Sequence, residues 1–182
     1  IVLEKFKFLT IKGPDSKEFL QSIITNNIDN CEKKAVYSCI LSPQGKFLAD
    51  FFIIFYNDAY LVEIHEKYVD NLISKLNLYK LRSEVFIERI DNYTSINIIK
   101  NNTEILNEGD LIKTSEYLEY TDPRNKNLGN KIIIEKNKID NFVKKKSLEL
   151  IIFNEYKKIM IKNLIPYSPE DLIINKSLLL EN

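Results

Sequence analysis

The sequence predicts an α+β protein, mixed or antiparallel sheets with packed helices, and three observations carry that prediction. Lys5 to Ile11 alternates Phe6 and Phe8 against Lys5 and Lys7, the period of a half-buried strand. The elements that follow run β-α-β-β-β-α-β as far as Ile90, an order that suits an antiparallel or mixed sheet with helices on one side. Within it, Asn57-Asp58 is a two-residue hairpin signal that returns Ala59 to Ile64 antiparallel to the strand before it.

Taken in order, Gly13-Pro14 breaks the first strand. Asp15 with Glu18 three residues on resembles a capping box, and Phe19, Leu20, Ile23 and Ile24 give the next helix one apolar face. Thr25-Asn26-Asn27 ends it, since Asn tolerates the left-handed backbone of a helix end. Ala35 to Leu41 is a second strand, and Lys46 to Tyr56 a third. His65 to Asn77 is a helix, with Tyr68, Val69, Leu72, Ile73 and Leu76 on one side. Val85 to Ile90 is a further strand.

From Asp91 the texture changes, so a first α+β unit is expected over 1–90 and a second over 91–182; the two can interleave. Ser95 to Ile99 is a weak strand, Asn101 to Asp110 a polar loop, and Lys131 to Glu135 a short strand. Ser147 to Leu164 reads as the longest helix, with Leu148, Ile151, Ile152, Tyr156, Ile159 and Met160 spaced for burial. Pro166 and Pro169 are expected to stop it. The chain opens on Ile1 and closes on Leu178-Leu179-Leu180-Glu181-Asn182, and both ends read as cut from something longer.

The totals narrow the chemistry. The 182 residues are 45% hydrophobic and 29% charged with zero formal charge, so no global field draws the chain to nucleic acid or anionic lipid. Lys144-Lys145-Lys146 reads as a solvated face. The two cysteines, Cys31 and Cys39, lack C-x-x-C spacing, which suits a reduced, cytoplasmic setting. The single histidine, His65, cannot build a several-histidine metal site, and its place at a helix entry suits capping over a catalytic triad. No Gly-x-Gly-x-x-Gly or Walker-type loop is present. No metal ligand set is expected.

The chain is organised around Leu41-Ser42-Pro43-Gln44-Gly45-Lys46-Phe47-Leu48-Ala49-Asp50-Phe51. Pro43 presets one backbone angle and Gly45 accepts the positive φ of a tight turn, so two strands meet here. Asp50 then falls inside an apolar strand, where a carboxylate must be paired, hydrogen-bonded or facing a cavity.

Three groups of residues occur in a familiar order: Phe19-Leu20-Gln21 with Thr25-Asn26, then Leu41 to Lys46 with Asp50-Phe51, then Asp122-Pro123-Arg124 with Leu128-Gly129. Together they resemble the YgfZ family of folate-binding proteins, relatives of the glycine-cleavage aminomethyltransferase. The resemblance runs from about Leu3 to Asn182. It stops short of the family's Lys-Gly-Cys-Tyr-x-Gly-Gln-Glu signature and C-terminal barrel.

That resemblance implies a tetrahydrofolate-binding accessory protein that supports iron–sulfur enzyme assembly or repair, with a link to tRNA modification. The implied partners are a reduced folate and iron–sulfur client proteins, without direct nucleic-acid or membrane binding. Whether the chain is an enzyme stays open. The aminomethyltransferase relatives carry two acids where this chain has Ala49-Asp50, which favours binding over group transfer. A folate-dependent C1 transferase and a shortened copy without a ligand are the alternatives.

The implied folate-binding residues are Asp50, Arg124, Gln44 and Asn26. Asp50 can read the donor edge of a pterin, and Arg124 can meet a glutamate tail or pair with Asp122 or Glu119. Gln44 and Asn26 can sit at a pocket rim or satisfy turn backbone, and the turn role is favoured.

Overall fold

The computed structural model describes residues 2–3, 5–99, 107–149 and 151–177. In chain order the elements are β1 (Val2–Leu3), β2 (Phe6–Lys12), α1 (Ser16–Ile23), β3 (Val36–Leu41), β4 (Phe47–Tyr56) and β5 (Ala59–His65). They continue with α2 (Val69–Tyr79), β6 (Phe86–Ile90), β7 (Tyr93–Ile98), β8 (Leu111–Lys113), β9 (Tyr117–Thr121) and β10 (Asn130–Glu135), then α3 (Ile139–Lys145), α4 (Phe153–Lys162) and α5 (Ser168–Asp171). Among the described residues they form two antiparallel sheets, ordered β3-β4-β5-β2-β6 and β1-β7-β10-β9-β8. The predicted α+β class is the one observed.

Two faces of each sheet are covered, which explains why the central strands read as nearly unbroken apolar runs. From β4, Ala49, Phe51 and Ile53 join Phe19 and Leu20 of α1 and Leu72 and Leu76 of α2. The alternate residues Phe52 and Ile54 face the other way, against Leu118, Tyr120 and Ile133 of the second sheet. On the far side of that sheet, Ile96, Ile132 and Ile134 pack on Phe142 of α3. The layers are therefore helix, sheet, sheet, helix.

The ends of the chain cross between layers. β1 pairs with β7 in the second sheet, although β2 belongs to the first. At the other end, Asn175 donates to the Phe47 carbonyl and Phe47 to that of Lys176, both at 2.8 Å, laying the chain against the start of β4.

Turn chemistry follows the sequence closely. Asn57 and Asp58 have φ of 50° and 56°, the double positive value of a right-twisted hairpin. Gly45 has φ 75° as expected. Gly129 is required for a second reason: a Cβ there would sit 2.2 Å from the Ile98 carbonyl oxygen.

Four expectations need correction. Asp15 makes no cap bond to α1; its Oδ2 accepts from the Glu84 amide at 2.7 Å and ties the turn before β6 to the start of the helix. The predicted helix over 147–164 is only α4, because Ser147 adopts φ 50° and ends the preceding α3. Ile152, expected to be buried, is 73% exposed, whereas Tyr156 and Met160 are buried. Pro169 does not stop a helix but opens α5 from its first turn, where a missing amide costs nothing. Strands β8 and β9 were not expected, since three residues in β8 and Tyr–Leu–Glu–Tyr–Thr in β9 carry too little period to read. The apolar close at 178–180 lies outside the described residues.

Between the sheets lies a polar cluster that sequence alone did not suggest. Glu63 of β5 and Lys131 of β10 are each 1% exposed, with Lys131 Nζ 2.6 Å from Glu63 Oε1. Ser95 Oγ donates to the same oxygen at 2.8 Å, and Tyr120 OH donates to Oε2 at 2.7 Å. Lys131 Nζ also lies 3.6 Å from the Phe6 ring centroid and 4.3 Å from that of Phe52. A buried carboxylate is tolerable when its oxygens are met by donors, and here three donors meet two oxygens.

Removing one partner strands the other. Lys131→Met is expected to lower unfolding free energy by about 3–5 kcal/mol, read by urea denaturation. The double change Lys131→Met with Glu63→Leu should recover part of this loss, and less than all because Ser95 and Tyr120 then lose their acceptor.

Candidate ligand-binding site

The strand period that builds the inter-sheet core also builds a pocket at its margin. Asp50 is two residues from Phe52 on β4, so both point toward the second sheet. On β5, His65 follows Glu63 in the same row, and Phe6 of β2 lies directly across from His65. Where the apolar row runs out, Asp50, Phe52, His65 and Phe6 share a cavity with Arg124, and Tyr167 to Pro169 cover it. Its free volume is about 20 Å³, room for a single water.

Asp50 is 7% exposed, and hydroxyls meet both of its oxygens. Tyr37 OH donates to Oδ2 at 2.8 Å, and Ser168 Oγ donates to Oδ1. Burial, reinforced by the Asp50 charge, holds the Tyr37 phenol far above its ordinary range, so it remains a donor. Ser168 is held in turn: Tyr68 OH donates to its carbonyl at 2.9 Å, and Lys67 Nζ donates to the Pro169 carbonyl at 2.5 Å.

Arg124 reaches the pocket from the turn between β9 and β10. Its Nε and Nη2 bind Asp122 Oδ1 and Oδ2 at 3.0 and 2.7 Å, a two-pronged pair on a carboxylate that is 1% exposed. The guanidinium lies 5.0 Å from the Phe52 ring centroid and 5.5 Å from that of Tyr37. The Asp122 pairing foreseen for Arg124 is therefore present, and Arg124 lines the Asp50 pocket as well.

His65 caps the turn after β5, its Nδ1 accepting from the Lys67 amide at 3.2 Å. Three rings, Phe6, Tyr68 and Tyr167, meet it edge to face. Burial lowers its pKa, against the opposing pull of Glu66 and Asp50. Burial also pushes the thiols of Cys31 and Cys39 up to about 12. They are inert core side chains, although Cys39 sits across from Asp50 on the neighbouring strand.

The other two predicted residues lie elsewhere. Gln44 is exposed in its turn, with Oε1 accepting from Ser42 Oγ at 3.0 Å. Asn26 is exposed too; its Nδ2 donates to the Tyr37 carbonyl at 2.9 Å and its Oδ1 accepts from the Asn27 amide. Both satisfy local backbone or turn groups, and neither lines the cavity. Tyr37 and Ser168 were missed. Phe52 could have been found by stepping two residues on from Asp50, but nothing local marks Ser168.

The donor set around Asp50 suits the edge of a pterin, but the space does not. A site for a ligand of that size occupies several hundred Å³. With Ser168 in place, tetrahydrofolate does not fit this pocket.

The same fold is seen in a solved structure. The structure of glycine cleavage system aminomethyltransferase T from Bartonella henselae superposes with a TM-score of 0.74, covering 93% of this chain and 52% of that one at 10% identity, and so shares the aminomethyltransferase-like architecture. In sequence, the chain is similar to iron–sulfur cluster assembly factor IBA57 homologues of fungal mitochondria. The Pyricularia oryzae protein is 31% identical over 96 residues, which cover 50% of this chain and 24% of that protein. The Neurospora crassa protein is 30% identical over 95 residues, and the Aspergillus fumigatus protein 31% over 102. The matched stretch thus spans about a quarter of these relatives. No protein-family model matches the chain.

These relatives correct the expected cytoplasmic setting, because each is named as mitochondrial. Two cysteines without C-x-x-C spacing do not choose between reducing compartments.

Two outcomes follow from the site's electrostatics. His65 binds a proton less readily folded than unfolded, so its contribution to stability is present above about pH 6.5 and is lost progressively as pH falls from there to the lower value of the folded state. The melting temperature of the parent chain should therefore drop more between about pH 7.5 and 5.5 than that of His65→Gln. At pH 8 only about one thiol in 10⁴ is ionised when its pKa is near 12, so iodoacetamide should label Cys31 and Cys39 only after denaturation.

Proposed function

We propose that this chain is the folate-binding portion of a mitochondrial iron–sulfur cluster assembly factor, with Asp50 as the ligand-reading carboxylate. The observation that carries this reading is the convergence of Asp50 and Arg124, far apart in sequence, on one pocket walled by Phe6 and Phe52. A buried carboxylate can accept a pair of N–H donors from a flat heterocycle whose face rests on the aromatic walls. Arg124 is the cation placed nearest a ligand carboxylate in this reading.

The similarity to iron–sulfur cluster assembly factors supports the process, and the aminomethyltransferase architecture supports a reduced folate as the ligand. Client iron–sulfur proteins would be its partners. A tRNA modification step would then depend on a client enzyme rather than on RNA contact by this chain. Ala49, in place of a second acid, is fully buried in the first core, which favours binding over C1 transfer.

Calorimetric titration with tetrahydrofolate tests the reading; a chain without tryptophan offers a weak fluorescence signal. Asp50→Asn keeps the side-chain shape and should weaken binding by about 10- to 100-fold, the range for a lost charge-assisted hydrogen bond. Equal affinity in the two proteins would exclude Asp50 as the reader.

A further inference from the structure

We infer that Ser168 is a built-in occupant of the Asp50 site, and that a ligand enters only as Ser168 and Pro169 lift away. This inference rests on the reading of the pocket as a ligand site. Its basis is the mismatch between the groups assembled there and the space left beside them. A carboxylate with Tyr37 on one oxygen presents its second oxygen to whatever covers it, and here the cover is the Ser168 hydroxyl. That contact joins positions 118 apart in sequence, so it is not a by-product of local turn geometry.

The segment behaves as a strap with two anchored ends and a substitutable middle. Downstream, Leu172 and Ile174 pack on the first core and Asn175 and Lys176 bond to Phe47. Upstream, Ile165 and Tyr167 pack with α4. Between these anchors, the grip on Asp50 is one hydroxyl, supported by Tyr68 and Lys67. A ligand N–H aimed at Asp50 Oδ1 would replace the Ser168 donor in kind, so the carboxylate stays satisfied in both states and only the strap changes place. Any ligand affinity is reduced by the fraction of time the strap is closed.

The test uses the intact chain as parent, Ser168→Ala and Tyr68→Phe. The last removes the hydroxyl that holds the Ser168 carbonyl without touching Asp50. Hydrogen exchange followed by mass spectrometry reads the strap over 165–177, and unchanged protection in β4 and β5 confirms the fold. Calorimetry is run with tetrahydrofolate and with 2,4-diaminopyrimidine, a small flat donor for a carboxylate. Both variants should exchange faster in the strap and bind tighter, Ser168→Ala by about tenfold because its charge-assisted bond no longer competes, and Tyr68→Phe by less because the bond it loses is neutral. Parent affinity and unchanged strap exchange in both variants would overturn the inference. Should tetrahydrofolate fail everywhere while diaminopyrimidine binds tighter to the variants, the strap stands and the folate reading falls. If neither compound binds any of the three proteins, the strap closes on no ligand site and the inference is wrong.

Discussion

Glu63 and Lys131 set the geometry on which the two sheets depend. Each belongs to a different sheet, and neither can be left in an apolar layer alone, so the sheets are held at the one offset that brings them together. Ser95 and Tyr120 restrict that offset further, since their hydroxyls reach the same carboxylate from two strands of the second sheet. An apolar interface alone could slide by a residue pair with little loss. A cluster of three donors on two oxygens could not.

The pocket is a direct neighbour of this cluster. Phe6 and Phe52 pack on the Lys131 ammonium, and both also form walls of the pocket. Phe52 carries the Arg124 guanidinium as well, so one ring links a buried cation with a partly buried one. Each cation is matched by its own acid, Glu63 or Asp122. Asp50 differs in kind: the partners seen on its oxygens are neutral hydroxyls. Glu63 and Asp122 are thus satisfied by opposite charge, and Asp50 by neutral groups that can be exchanged.

Much of this was readable in the sequence, for identifiable reasons. Asp50 stood out because a carboxylate in an apolar strand conflicts with its surroundings, and Arg124 through the resemblance that Asp122-Pro123-Arg124 helps to carry. The alternation in β2 and the Asn57-Asp58 hairpin were local signals, which survive without tertiary information. What could not be read depended on distant partners. Glu63 lies in Tyr–Leu–Val–Glu–Ile, where an acid looks like the outward residue of an edge strand until Lys131 is placed against it. Ser168 belongs to a polar turn, and only the fold brings it to Asp50. Helix α4 was overextended because its apolar spacing continues back through Ile152, while the left-handed turn at Ser147 lay on a residue without a strong signal for it.

The order in which the chain leaves the ribosome gives the long-range contact between Asp50 and Ser168 a temporal meaning. Strands β3, β4 and β5 are neighbours in sequence and can pair early, whereas contacts across more than a hundred positions must await their second half and overcome a larger loop-closure entropy. For that interval the nascent protein presents Asp50 uncovered. The Asp50 carboxylate therefore stays open to water until the segment around Ser168 has been made and folds back, so sealing it is a late step of folding.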